Sequence, residues 1–235
     1  MNGIQLQFWA TGVLPFLVGQ TALAASLAGP FPFDPVVPGF PKPTFIEASS
    51  PNTGNRAPGV AIDTVVMHTT EVDLPGTLAI FDSSASQVSA HFTIAPNGDI
   101  YQHVATDGQA WHATYYNSRS IGIEMVGYSF QPETWNESNL AALTDLLAWI
   151  SLAYPEIELT RPTGDAYDTP NNRYDEPGVV AHGQIQPWNR SDPGPYFPWD
   201  DVLAEASAKA VPEPTAGLAL FGVAGATLRR LPRRA

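Results

Sequence analysis

A short run, Ala61 to Met67, does most to limit what this chain can fold into. It places β-branched Ile62, Thr64, Val65 and Val66 within seven residues and ends against His68. β-branched side chains lose rotamer freedom in a helix and fit a pleated surface. A run this apolar reads as a strand buried in a sheet, so His68 is delivered at the strand's C-terminal end.

The following segments alternate between strand and helix signals. From Val88 to Ile94, Val88, Ala90, Phe92 and Ile94 share one face while Ser89, His91 and Thr93 share the other. Asn97-Gly98 then turns the chain into Ile100 to Val104, which predicts a hairpin. Ile121, Ile123 and Met125 point one way along the next strand, so Gly122 and Glu124 point away from the main core. Thr134 and Glu137 have capping-box spacing, and Leu140, Leu143, Leu146, Leu147, Ile150 and Tyr154 follow at helical spacing until Pro155 ends the run. Residues 160 to 178 read as a long polar loop bordering the site, ahead of a short strand from Val179 to Ala181. Interleaved strands and helices predict an α/β fold, a mixed central β-sheet flanked by helices.

A chain of 235 residues, 44% hydrophobic and 14% charged, suits one globular domain with extensions. The formal net charge is -12. Four of the 11 basic residues, Arg229, Arg230, Arg233 and Arg234, crowd the C-terminus, leaving seven elsewhere. That balance argues against a nucleic-acid backbone as partner, since such proteins usually show a basic footprint. There is no Cys, so disulfides and thiolate ligands are excluded.

The ends differ from the middle. Residues 1–24 hold an apolar run, Phe8 to Val18, and then Ala22-Leu23-Ala24, the pattern of a signal peptide. Residues 25–57 are a Pro- and Gly-rich lead-in, expected to drape over the surface because Pro and Gly disfavour helix interiors and central strands. The main domain is expected over 58–208. In the tail, 209–235, Val211-Pro212-Glu213-Pro214 precedes 14 residues, Thr215 to Leu228, that are too few for a comfortable helical crossing, and an Arg cluster follows. This tail resembles the PEP-CTERM sorting signal of exported bacterial proteins. The resemblance implies an exosortase-type partner, transient membrane contact through the tail, and a final location in the periplasm, at the cell surface or in the extracellular matrix.

Within 58–200, five blocks stand in order: Val66-Met67-His68-Thr69-Thr70; Val88-Ser89-Ala90-His91-Phe92; Ala110-Trp111-His112-Ala113; Asn117 with Ser120-Ile121-Gly122-Ile123-Glu124; and Ala181-His182 with Asp192-Pro193-Gly194-Pro195. By position alone His68, His182 and Asp192 could be unrelated polar residues. Together the blocks resemble the type 2 N-acetylmuramoyl-L-alanine amidase family, which implies a zinc-dependent hydrolase of the amide between N-acetylmuramic acid and L-alanine in peptidoglycan or muropeptides. The resemblance gives His68, His182 and Asp192 as the Zn2+ ligands, three protein donors with a fourth position for water. It gives Glu124 as the acid-base group. Arg190 occupies the place where many members carry an oxyanion-stabilising Lys.

Trp111, His112, Asn117 and His91 fall in the matched blocks and are the expected substrate-binding residues. Trp111 also admits a core-packing role. For His91 a structural hydrogen-bonded role is favoured over substrate contact, since it shares a strand face with Ser89 and Thr93. The alternatives to an enzyme are a muropeptide-binding module without catalysis, against which the complete ligand set and Glu124 argue, and a cell-surface matrix protein defined by its tail.

Overall fold

The computed structural model describes residues 42–210. The expected leader, the first part of the lead-in, and the sorting motif from Val211 onward lie outside the described residues.

Six strands form one mixed sheet in the order β1-β5-β4-β7-β3-β8. They are β1 (Thr44–Phe45), β3 (Thr64–Thr69), β4 (Phe92–Ile94), β5 (Ile100–Gln102), β7 (Ser120–Met125) and β8 (Gly178–Ala181). β4 and β5 form the expected antiparallel hairpin, with Thr93 opposite Tyr101. The central strands β4, β7, β3 and β8 all run parallel. A separate antiparallel pair joins β2 (Thr53–Asn55) to β6 (Gly108–Ala110).

Parallel strands need cover on both faces, and both faces are covered. On one, Val65, Met67, Ile121, Ile123, Met125 and Val179 pack against two helices, α2 (Glu137–Ala153) and α4 (Trp199–Lys209), through Leu143, Leu147, Ile150, Val202 and Ala206. On the other, Val66 and Val180 meet Tyr116, Ala166, Tyr174 and Ile185 from short helical turns and loops. A third cluster seats Phe81 of α1 (Leu74–Asp82) on Ala48, Ala90, Val104 and Ala110. Among the described residues no helix is long and apolar enough to cross a membrane.

Several expectations are corrected in detail. The strand from Val88 is confined to Phe92–Ile94, because Ser89 and His91 spend their backbone N–H groups on Trp111 and Gly122 rather than on β5. The cap of α2 is not Thr134. Asn136 caps it, accepting from Ser138 N and Asn139 N at 3.0 and 3.2 Å, while Asn136 N donates in turn to Asn139 Oδ1; Asn outranks Thr as an N-cap, and Thr134 instead ends a short 3-10 turn. The lead-in is not merely draped. Its residues 44–45 and 53–55 form β1 and β2, with β1 a sheet-edge strand of the kind that tolerates neighbouring Pro.

Candidate metal centre

Three neighbouring parallel strands carry their polar residues to one edge. In register, His68 of β3 lies opposite Glu124 of β7. β8 ends at Ala181, and His182 opens the four-residue helix α3 (His182–Ile185) immediately beyond it. Clefts in sheets of this kind form at the carboxyl ends of the strands, and this one does. Period-two alternation that sends Ile121, Ile123 and Met125 into the main core leaves Glu124 on the face of His68, as expected from the sequence.

Asp192 arrives from the loop after α3 and is tied to His182 by the bond from Gly183 N to Asp192 O, 3.0 Å. Nδ1 of His68, Nδ1 of His182 and Oδ2 of Asp192 form a triangle with edges of 3.0, 3.0 and 3.2 Å, and all three residues are buried. Burial, followed by the neighbouring His182, lowers the pKa of His68 to about 4, which keeps the imidazole neutral. Burial alone would raise the Asp192 carboxyl; the imidazoles of His182 and His68 against Oδ2 outweigh it and hold the group below its ordinary range, as a carboxylate.

The donor set fits a small divalent cation. Nε2 of His182 is 2.9 Å from Oε1 of Gln186, an acceptor, so Nε2 carries the proton and Nδ1 presents a lone pair. Donors about 2.0 Å from a tetrahedral zinc are about 3.3 Å apart, close to the observed edges. Two imidazoles and one carboxylate are also the chemistry of a site that keeps an open position.

Beside the triangle, Oε2 of Glu124 is buried without a hydrogen-bond partner. Burial first, then the charges of Asp192 and Glu71, push its pKa up to about 8. A carboxyl with a perturbed pKa and an orphaned oxygen in a cleft is a candidate functional group. A cavity of about 370 Å³ opens over these groups, walled by Phe81 and Ile80 of α1, Trp111, His112, Ser129 and Arg190. Arg190 is exposed at the rim, where Nη1 bonds Asn189 O at 2.9 Å.

Of the expected substrate-binding residues, Trp111 and His112 line the cavity, and Trp111 is partly exposed. Asn117 and His91 do not line it. Asn117 Oδ1 accepts from His112 N and Ala113 N, at 3.0 and 2.7 Å, so it shapes the turn that carries His112. His91 is fully buried, takes a bond from Gly122 N at 3.0 Å, and has Arg56 and the carbonyl of Gly108 against Nε2. Its structural reading fits these contacts and its substrate-contact reading does not.

Sequence reasoning missed three members of the site. Gln186 stands four residues after His182, a spacing that brings side chains together on a helical turn. Glu71, in left-handed backbone at φ 55, accepts from Thr69 Oγ1 and Ser129 N and is held at the cavity wall. Ser129 comes from the segment after β7 and carries no local motif to reveal it.

A buried His-His-Asp triangle that can hold a metal ion, beside a buried carboxyl at the carboxyl edge of a mixed sheet under an open cavity, has the arrangement of a metal-assisted hydrolase. A family model described as N-acetylmuramoyl-L-alanine amidase matches residues 58–195. The chain belongs to that family. It is 35% identical over 139 residues to N-acetylmuramoyl-L-alanine amidase A of Achromobacter lyticus, covering 58% of this chain and 78% of that protein. It is 32% identical over 126 residues to the 1,6-anhydro-N-acetylmuramyl-L-alanine amidase AmpD of Haemophilus influenzae, covering 50% of this chain but only 58% of that one. The crystal structure of a selenomethionine derivative of AmpD shares the fold, with a TM-score of 0.54 and 23% identity over 71% of this chain and 93% of that chain.

Proposed function

We propose that His68, His182 and Asp192 hold a zinc ion and that this chain, as an amidase of its family, hydrolyses the amide joining N-acetylmuramic acid to L-alanine in peptidoglycan or its fragments. One observation carries the reading: three lone-pair donors converge within 3.0 to 3.2 Å beside the unpartnered Oε2 of Glu124. A zinc ion there supplies Lewis acidity, lowering the pKa of a bound water to about 7 and polarising a carbonyl. Glu124 takes the water proton and passes it to the leaving amine of L-alanine. Arg190, exposed at the rim of the cavity, turns its guanidinium toward the negative charge that develops on the scissile carbonyl oxygen. Trp111 presents its indole to the sugar or the stem peptide. A module that only binds muropeptides has no use for a buried carboxylate without a partner, because such a group costs stability.

Elemental analysis tests the ligand set. Wild-type protein supplied with zinc is expected to carry one ion per chain and His182→Ala far less; equal retention by the variant refutes the assignment.

Export and sorting are part of the same proposal and are supported by sequence alone. Residues 1–24 act as a leader, residues 58–208 as the catalytic domain, and Val211-Pro212-Glu213-Pro214 as the recognition point of an exosortase-type enzyme, with Thr215 to Leu228 and the Arg cluster holding the tail briefly in the membrane. Intact-mass measurement on exported protein from the native host should find a C-terminus near Pro214. A population ending at Ala235 contradicts the sorting reading.

A further inference from the structure

His112 stands against His68 at the wall of the cavity, and its surroundings leave it little freedom. Its ring lies so close to β7 that a Cβ on Gly122 would stand 2.7 Å from Cγ and Nδ1. Asn117 pins its backbone. Nδ1 of His112 is 3.0 Å from Nε2 of His68, and Nε2 of His112 is 3.3 Å from Oγ of Ser120.

The proton positions along this row follow from the far end. Ser120 Oγ spends its only proton on the carbonyl of Tyr116, 2.7 Å away. It therefore faces His112 as an acceptor, and His112 Nε2 carries the proton that meets it. A neutral imidazole has one N–H, so His112 Nδ1 is bare and accepts from His68 Nε2. That leaves His68 Nδ1 bare, facing His182 and Asp192.

We propose that His112 is a positioning residue for the metal centre: oriented by Ser120, its Nδ1 fixes His68 in the Nε2–H tautomer and so presents the His68 Nδ1 lone pair to the zinc. The inference rests on the zinc reading above and adds to the place of His112 on the cavity wall a role as partner of a ligand. Outer partners that orient a ligating imidazole typically contribute 10- to 100-fold to metal affinity.

The test is zinc affinity, measured by competition with a chromogenic chelator, alongside the melting temperature of each metal-free protein. His112→Phe keeps a ring against Gly122 but has no acceptor; it should bind zinc about 10- to 100-fold more weakly. His112→Asn loses the ring but can set Oδ1 where Nδ1 stood, and should stay close to wild type. A residue that only fills space predicts the opposite order, and that order overturns the proposal. Should His112→Phe not fold, Ser120→Ala decides: it frees His112 to take either tautomer, so zinc affinity should fall, and unchanged affinity overturns the relay. Wild type that takes up no zinc overturns the zinc centre and this inference together. Wild type that binds zinc, with His112→Phe and Ser120→Ala binding as tightly, overturns this inference alone.

Discussion

The carboxyl of Glu124 sits at the end of β7 with one oxygen buried and unpartnered, its pKa raised from an ordinary 4.5 to about 8 mainly by burial. An acid whose folded pKa lies above its unfolded value holds its proton more tightly when folded. Its ionisation therefore costs stability, beginning above pH 4.5 and growing until about pH 8. Metal-free Glu124→Gln should melt above wild type at pH 9, with the gap closing toward pH 4, in a calorimetric pH series. With zinc bound, the same variant should keep its metal and lose at least about 100-fold in turnover, the usual contribution of a positioned acid-base group. Near wild-type turnover would refute the proton-transfer role. The facing of Glu124 was legible from strand periodicity alone. The neighbours of His112 were not, because its contact with His68 depends on how closely its turn approaches Gly122, a tertiary distance without a local pattern.

Among the elements, the strands with strong patterns were legible and those built from short segments were not. β3 follows its continuous β-branched run, and β7 and α2 follow their apolar periodicity. α1 was hidden because Pro75-Gly76 reads as a turn, although Asp73 accepts from Gly76 N as an N-cap and Pro75 sits in the first turn where its missing N–H costs nothing. β1, β2 and β6 are two or three residues long and are fixed by partners distant in sequence. The lead-in also supplies Arg56, just outside the stretch matched to the family model. Its guanidinium donates to the carbonyls of Thr106, Asn117, Ser118 and Ser120, tying β2 to the turn that carries His112 and to the start of β7. Arg56→Met keeps the apolar stem and strands these carbonyls. Thr106 and Ser120 are buried, and each buried unpaired group costs about 1–3 kcal/mol, so chemical denaturation should show a loss of at least about 2 kcal/mol. A loss within about 0.5 kcal/mol, the range of an ordinary surface change, would contradict this organising role.

For the molecule as a whole, the sheet, the His-His-Asp triangle and the family membership converge on one reaction. The family resemblance could be read from the sequence because five motif blocks keep their order between residues 58 and 200. The cavity could not, since its walls come from α1, Trp111 and His112 after β6, and the loop around Arg190, brought together only by the fold. Mass spectrometry of a defined disaccharide-peptide muropeptide, incubated with zinc-loaded protein, tests the central claim most directly. The account predicts two products whose masses sum to the substrate plus one water: a free peptide beginning with L-alanine, and an intact saccharide bearing the free lactyl carboxylate. Intact substrate from a zinc-loaded, folded enzyme, or cleavage within the saccharide or between stem residues, would contradict it.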